Sequence, residues 1–89
     1  MIETKYKDPG ATLDFYVDWS EWLNSDTIVS SEWFTEPGIT IVRSLNTVQI
    51  ATVWLSGGTN RDFYIVTNRI TTAAGRIDER SIKISVINM

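Results

Sequence analysis

The chain alternates. Apolar and polar residues exchange places at every second position through most of its length, and turn residues break the pattern at short intervals. A period of two places successive side chains on opposite faces of a β-strand, whereas a helix needs a period of 3.6. No run sustains the helical period, and there is neither an internal repeat nor a low-complexity tract. Strands are the only regular element that this pattern supplies in quantity.

The runs can be read in order. Residues 3–7 form a short first strand, ended by Asp8-Pro9-Gly10, where Pro fixes φ and Gly permits a positive φ. Residues 12–19 alternate cleanly, with Leu13, Phe15, Val17 and Trp19 on one face and Asp14, Tyr16 and Asp18 on the other. The next residues, DWSE, resemble a capping box. Asp18 would be the N-cap and Glu21 its partner, opening one helical turn near residues 19–23. A third strand covers 26–34, with Val29, Ser31 and Trp33 sharing a face and Ile28 and Phe34 sharing the other. Glu36-Pro37-Gly38 turns into a fourth strand at 38–44, with Ile39 and Ile41 on one side. Residues 47–55 make the fifth strand, closed by Ser56-Gly57-Gly58-Thr59. Residues 62–72 make the sixth, and 80–87 the last, with Ile82, Ile84 and Val86 inward. Arg76 to Glu79 would pair with the end of the sixth strand.

About seven antiparallel strands with turns every 8 to 12 residues, in 89 residues, predict an all-β chain: a single immunoglobulin-like β-sandwich domain over residues 1–89. A small barrel is the other architecture that fits. Trp33 lies on the third strand, where such sandwiches place a core tryptophan, and Gly58 and Tyr64 precede Val66 as in a tyrosine corner. There is no cysteine, so Trp33 and its aliphatic neighbours must fill the space a disulfide would take.

The residue inventory narrows the chemistry. Without Cys or His, thiolate nucleophiles, thiolate metal sites and His-based triads are excluded within this chain. The stretch DFYVDWSEWL, residues 14–23, concentrates acids and aromatics and invites a glycosidase reading. Asp14 and Asp18 lie on one strand face, roughly 13 Å apart at full extension. That exceeds the separation of about 5–10 Å that paired catalytic carboxylates need. Asp14, Asp18, Glu21 and Asp26 are also possible calcium ligands, but they lack the dense spacing and Gly of a calcium loop. The reading preferred here makes Trp19 and Phe15 core, Asp18 a cap, and Trp22 a lid on one end. No cofactor is expected.

A net charge of −3 argues against a general nucleic-acid binder. No apolar run approaches the roughly 20 residues of a membrane span, and the start lacks a signal-peptide core, so a soluble cytosolic chain is expected. Residues 1–40 carry eight acids and two bases, and residues 41–89 carry three acids and six bases. That asymmetry suggests two surfaces that could meet head to tail in an assembly. If Ala51, Val53 and Leu55 face the core, then Ile50 and Trp54 face out, and Tyr16 and Phe34 share that situation. Several exposed apolar residues together mark a contact surface. A one-residue slip in this strand would reverse the assignment. Arg69, Arg76 and Arg80 sit on a long hairpin tip, where they could pair with Asp78 and Glu79 or face an acidic partner. The candidate partner-binding residues are therefore Trp54, Ile50, Trp22, Tyr16, Phe34, Arg69 and Arg76.

The strings DPGATLDFYVDWSEWLNSDTIVSSEW, IATVWLSGG and YIVTNRITTAAGRIDERSI resemble a family of short immunoglobulin-like structural proteins of tailed bacteriophages, some of them fibre–tail adaptor or neck components. The resemblance runs from about Asp8 to Val86, and DWSEWL, VWLSGG and TNRITTAAGR are its most specific parts. It implies a non-enzymatic virion subunit at the neck, collar or tail, present in the host cytoplasm before assembly. Its partners would be other virion proteins, fibres among them, and copies of itself in a ring. A carbohydrate-binding adhesion domain, with Trp54, Trp22 and Tyr16 as a stacking platform, is the alternative.

Overall fold

A computed structural model describes residues 2–88. Seven strands are present: β1 (Glu3–Lys7), β2 (Leu13–Asp18), β3 (Ile28–Thr35), β4 (Ile39–Asn46), β5 (Ile50–Gly57), β6 (Phe63–Thr72) and β7 (Ile77–Val86), with one turn of helix, α1 (Ser20–Leu23). They form two sheets, β1-β7-β6-β3 and β2-β5-β4. Where the sheets face each other, the period-two pattern delivers the core. Ala51, Val53 and Leu55 of β5 are fully buried, as are Val66 and Ile70 of β6 and Ile84 and Val86 of β7. Phe15 and Val17 of β2 join them. The architecture is a β-sandwich, and the two open sheets exclude the barrel.

Lettered A to G in chain order, the strands give sheets A-G-F-C and B-E-D. Constant-type immunoglobulin sandwiches group A-B-E-D and C-F-G. Six strands keep that arrangement, and the first has changed sheets. It pairs with β7 in parallel, Glu3 beside Ile82 and Lys7 beside Val86, so the expectation of antiparallel strands throughout is corrected here. The turn explains the move. Gly10 N–H donates to the Asp8 carboxylate and Ala11 N–H to the Asp8 carbonyl, carrying the chain across from one sheet to the other. Lys7 anchors the end of β1: its buried ammonium donates to the carbonyls of Gly57 (2.7 Å) and Asp8 (2.9 Å). Burial pushes its pKa down, and the Asp8 charge partly opposes this.

Two strands depart from simple alternation. A bulge between Ile28 and Ser30 shifts the parity of β3, so Ile28 points inward, Val29 is exposed, and Ser31 and Trp33 point inward again. Val29 therefore does not share a face with Ser31 and Trp33. A second bulge between Ile41 and Arg43 places Arg43 opposite Trp54 on the outer face, next to the outward Val42. A bulge adds one residue to one strand of a pair and resets every side chain after it.

The core tryptophan is Trp19. It is fully buried, whereas Trp33 is only partly buried and packs against the edge of the core. Trp19 Nε1 donates to Asn68 Oδ1 at 2.9 Å, and Asn68 Nδ2 donates to Ser31 Oγ (2.8 Å) and to the Glu32 carbonyl (3.0 Å). One buried amide thus ties the end of β2 and the strand β3 to β6. At the opposite corner the Tyr64 hydroxyl accepts the Thr59 N–H at 3.0 Å. Gly38 (φ +109°) leaves room for that ring and Gly58 (φ +94°) for Val86: a Cβ on Gly38 would meet Tyr64 Cε1 at 2.9 Å, and one on Gly58 would meet Val86 Cγ2 at 2.7 Å.

The helical turn falls where the sequence puts it, but its cap is different. Trp19 occupies the N-cap position and makes no side-chain cap bond. Asp18 sits one residue upstream and accepts the Ser20 N–H at 2.9 Å. That bond and the Ser20 hydroxyl hold its carboxyl below the usual range, and the charge of Arg80 adds to the effect.

Candidate functional site

The sandwich has two outer faces and a capped end, and the candidate residues divide among all three. On the three-stranded sheet, pairing fixes the neighbours. Asp14 lies beside Trp54, and Trp54 beside Arg43; Tyr16 lies beside Thr52, and Thr52 beside Leu45; Asp18 lies beside Ile50. Because Ala51, Val53 and Leu55 are inward, Ile50, Thr52 and Trp54 are outward, which settles the register of β5. Trp54, Ile50 and Tyr16 therefore share one surface with the exposed Leu45. The Arg43 guanidinium covers the Trp54 ring, 4.3 Å from its centroid.

The four-stranded sheet carries the other outer face. Phe34 pairs with Thr67, which pairs with Ser81; Phe63 pairs with Ser85, which pairs with Tyr6; Ile65 pairs with Lys83, which pairs with Thr4. Tyr6, Phe34 and Phe63 are all exposed. Lys83 lies over the Phe63 ring at 4.3 Å. Arg69 lies over Phe34 at 5.3 Å and forms an ion pair with Glu79 at 2.7 Å. Tyr6, Phe63 and Ile65 belong to this surface, yet a sequence reading passes over them. For Phe63 and Ile65 the signal was the parity of β6, where they alternate with the buried Tyr64 and Val66.

Trp22 and Arg76 meet at the end of the sandwich, away from both faces. Trp22 packs edge-on against Trp19 at 5.3 Å, and the Arg76 guanidinium stacks on Trp22 at 4.1 Å. Arg76 also donates to the Leu23 carbonyl (3.0 Å) and to the Asp26 carboxylate (3.0 Å). Asp26 in turn accepts the N–H groups of Thr27 (2.8 Å) and Ala74 (3.1 Å). Arg80 behaves similarly, lying over the Trp19 ring at 4.3 Å and donating to the Asp18 carbonyl at 3.1 Å. The lopsided charge of the chain has a local meaning here: arginines of the second half reach carboxylates and carbonyls of the first half within one molecule.

Asp26 yields a test. The Thr72 hydroxyl, the Thr27 N–H, Arg76 and the Ala74 N–H hold its carboxyl at about 2, against partial desolvation. A carboxyl whose folded pKa is depressed adds stability above its unfolded value, near 4, and loses it as pH falls toward 2. Asp26→Asn is expected to lower the melting temperature near neutral pH. The difference from the unmodified protein should shrink between about pH 4 and pH 2. Melting curves across that range check it, and a constant difference would contradict the assignment.

Asp18 and Asp26 are thus engaged by backbone N–H groups. Among the described residues, no three His, Cys, Asp or Glu side chains converge where a metal ion could be held. The geometry offers surfaces for contact.

No curated protein matches the chain. A family model does match, over residues 7–85, and its description is podophage GP4 fiber-tail adaptor protein gp77. The matched segment begins at the last residue of β1 and ends one residue before the end of β7, so it includes both sheets. The chain belongs to the podophage GP4 fiber-tail adaptor protein gp77 family.

Proposed function

We propose that this chain is a non-enzymatic structural subunit of the phage tail that joins fibre to tail by docking a different virion protein on each outer face of its sandwich. The observation that carries the reading is that both outer faces present exposed aromatic side chains. Tyr16 and the part-buried Trp54 lie on one face; Tyr6, Phe34 and Phe63 lie on the other. An adaptor needs two surfaces that do not compete, and opposed faces of a two-layer fold provide them. Arg69 and Phe34 would contribute to the second surface, and Trp54, Ile50 and Tyr16 to the first. Trp22 and Arg76 would serve it by holding the end of the sandwich together. Copies arranged around a ring would raise the effective concentration of each contact, so modest interfaces suffice. Protein partners fit better than glycans, because Arg43 already covers a face of Trp54 and Arg76 a face of Trp22, where a sugar would stack.

Quantitative mass spectrometry on washed particles, counting this chain against the major capsid protein, tests the proposal. A fixed copy number set by the symmetry of the tail is expected. Trp54→Ser and Phe63→Ser should each weaken one contact by about 2 kcal/mol, the effect of removing an aromatic anchor, and so lower incorporation while the chain stays folded. Particles that lack the unmodified chain, or that incorporate both variants normally, would overturn the reading.

A further inference from the structure

The four edge strands of the sandwich are not equally protected. β3 and β4 each carry a bulge, which twists an edge away from foreign pairing. β1 is five residues long, carries Lys5 and Lys7, and ends two residues before Pro9. β2 has no bulge and no proline, and its outward charges are Asp14 and Asp18 alone. It pairs with β5 in unbroken register from Leu13 to Asp18, and among the described residues no strand lies along its other side. That is the position where a constant-type sandwich holds its first strand, which here has gone to β7.

The backbone of this edge is oriented for pairing. Trp19 N–H donates to the Gln49 carbonyl, so the odd-numbered residues of β2 bond toward β5. The N–H and C=O groups of Asp14 and Tyr16 consequently point to the free side. The Asp18 carbonyl points the same way, where Arg80 already meets it. Side chains show the same vacancy. Leu13 faces inward opposite the fully buried Leu55, yet it is 39% exposed. A cleft of about 670 Å³ borders the second half of the edge, with Tyr16 and Asp18 of β2 on one side and Glu3 and Lys5 of β1 and Arg80 and Ile82 of β7 on the other.

Charge decides which strand fits. The outward residues of β2 are Asp14, Tyr16 and Asp18. In a two-fold β2–β2 pairing centred on Tyr16, Asp14 of each copy would face Asp18 of the other, and like charges directly opposite are unfavourable. A second copy in that register is thereby disfavoured, whereas a strand with Lys or Arg opposite Asp14 and Asp18 gains opposite-charge pairs. We infer that β2 is a strand-addition site for an extended segment of a partner protein. That segment would carry Lys or Arg opposite Asp14 and Asp18, and apolar residues on the alternate positions over Leu13, Phe15 and Val17. Main-chain bonds would supply the attachment and the alternate side chains the selectivity. The inference adds a third contact to the adaptor reading and rests on it only for the partner's being a virion protein.

The full chain is titrated with three synthetic peptides: alternating Lys and Val, alternating Glu and Val, and a scrambled Lys/Val sequence. Amide chemical shifts and hydrogen exchange are followed. The alternating Lys/Val peptide is expected to shift the amides of residues 13–18 and to slow exchange of the Asp14 and Tyr16 N–H groups. The Glu/Val and scrambled peptides should do neither. Asp14→Lys with Asp18→Lys, both exposed positions, should weaken the Lys/Val peptide by roughly tenfold or more and favour the Glu/Val peptide. Binding that leaves β2 exchange unchanged, equal binding of all three peptides, or β2 protection that grows with protein concentration alone would overturn the inference. None of these results depends on particle incorporation, so failure here and failure of the adaptor reading are separable.

Discussion

Trp19→Ala is expected to lower stability by about 3–5 kcal/mol, the range for truncating a large buried aromatic side chain. Domains of this kind have only about 5–15 kcal/mol in total, so the substitution removes a large share of the margin. Trp19 stands at the junction of β2 and α1, and it is fully buried. Its ring supports Trp22 at one edge and Arg80 across its face. Removing it opens a void that those neighbours cannot fill without releasing the helical turn. Urea unfolding followed by near-ultraviolet circular dichroism measures the effect. Trp19→Phe separates its parts: most of the volume returns, but Asn68 Oδ1 loses its donor. A loss below about 1 kcal/mol for Trp19→Ala would mean that this end of the sandwich repacks freely.

Asn68→Leu should cost about 2–3 kcal/mol, although leucine is of similar size and more apolar. The buried Asn68 amide accepts from Trp19 and donates to Ser31 and to the Glu32 carbonyl. Leucine satisfies none of them, and a buried polar group left without a partner costs about 1–3 kcal/mol. The Trp19 indole N–H bears the largest share, because it has no route to solvent. Trp19→Phe removes that donor, so Asn68→Leu should cost less in a Trp19→Phe background than alone. Additive losses in the double variant would show that the two side chains do not act through their bond.

Alternation made much of this fold legible. The inward sets Ala51, Val53 and Leu55 on β5, and Ile82, Ile84 and Val86 on β7, follow from a period of two, and the outward position of Trp54 follows with them. Parity fails where a residue is inserted, and so the faces of Val29 and Arg43 could not be read: a bulge has no alternation signature. Partner choice between strands was equally hidden. Nothing in residues 3–7 distinguishes a strand that bonds to β2 from one that bonds to β7. Trp19 and Trp33 both read as core from the sequence; Trp19 is, but Trp33 is only partly buried, and the amide that holds the Trp19 indole lies 49 residues away. The candidate site was legible as a list of outward residues and not as a set of surfaces. Which outward residues meet depends on sheet order, which brings Phe63 and Tyr6 either side of Ser85. Arg76 shows the remaining gap, since the carboxylate that holds it is 50 residues distant.

The parallel pairing of β1 with β7 also determines how the molecule carries tension. Glu3 lies beside Ile82 and Lys7 beside Val86, so the two strands nearest the ends of the chain are neighbours running in the same direction. Pulling residue 3 and residue 86 apart makes them slide past each other along their length. The five residue pairs of the ladder are then loaded together in shear, and cannot be peeled one at a time as in a hairpin opened from its ends. Forced unfolding is governed by the barrier to leaving the native state. In this topology that barrier includes breaking the whole β1–β7 ladder at once, before the β7–β6 and β6–β3 ladders of that sheet or any ladder of the other sheet is broken.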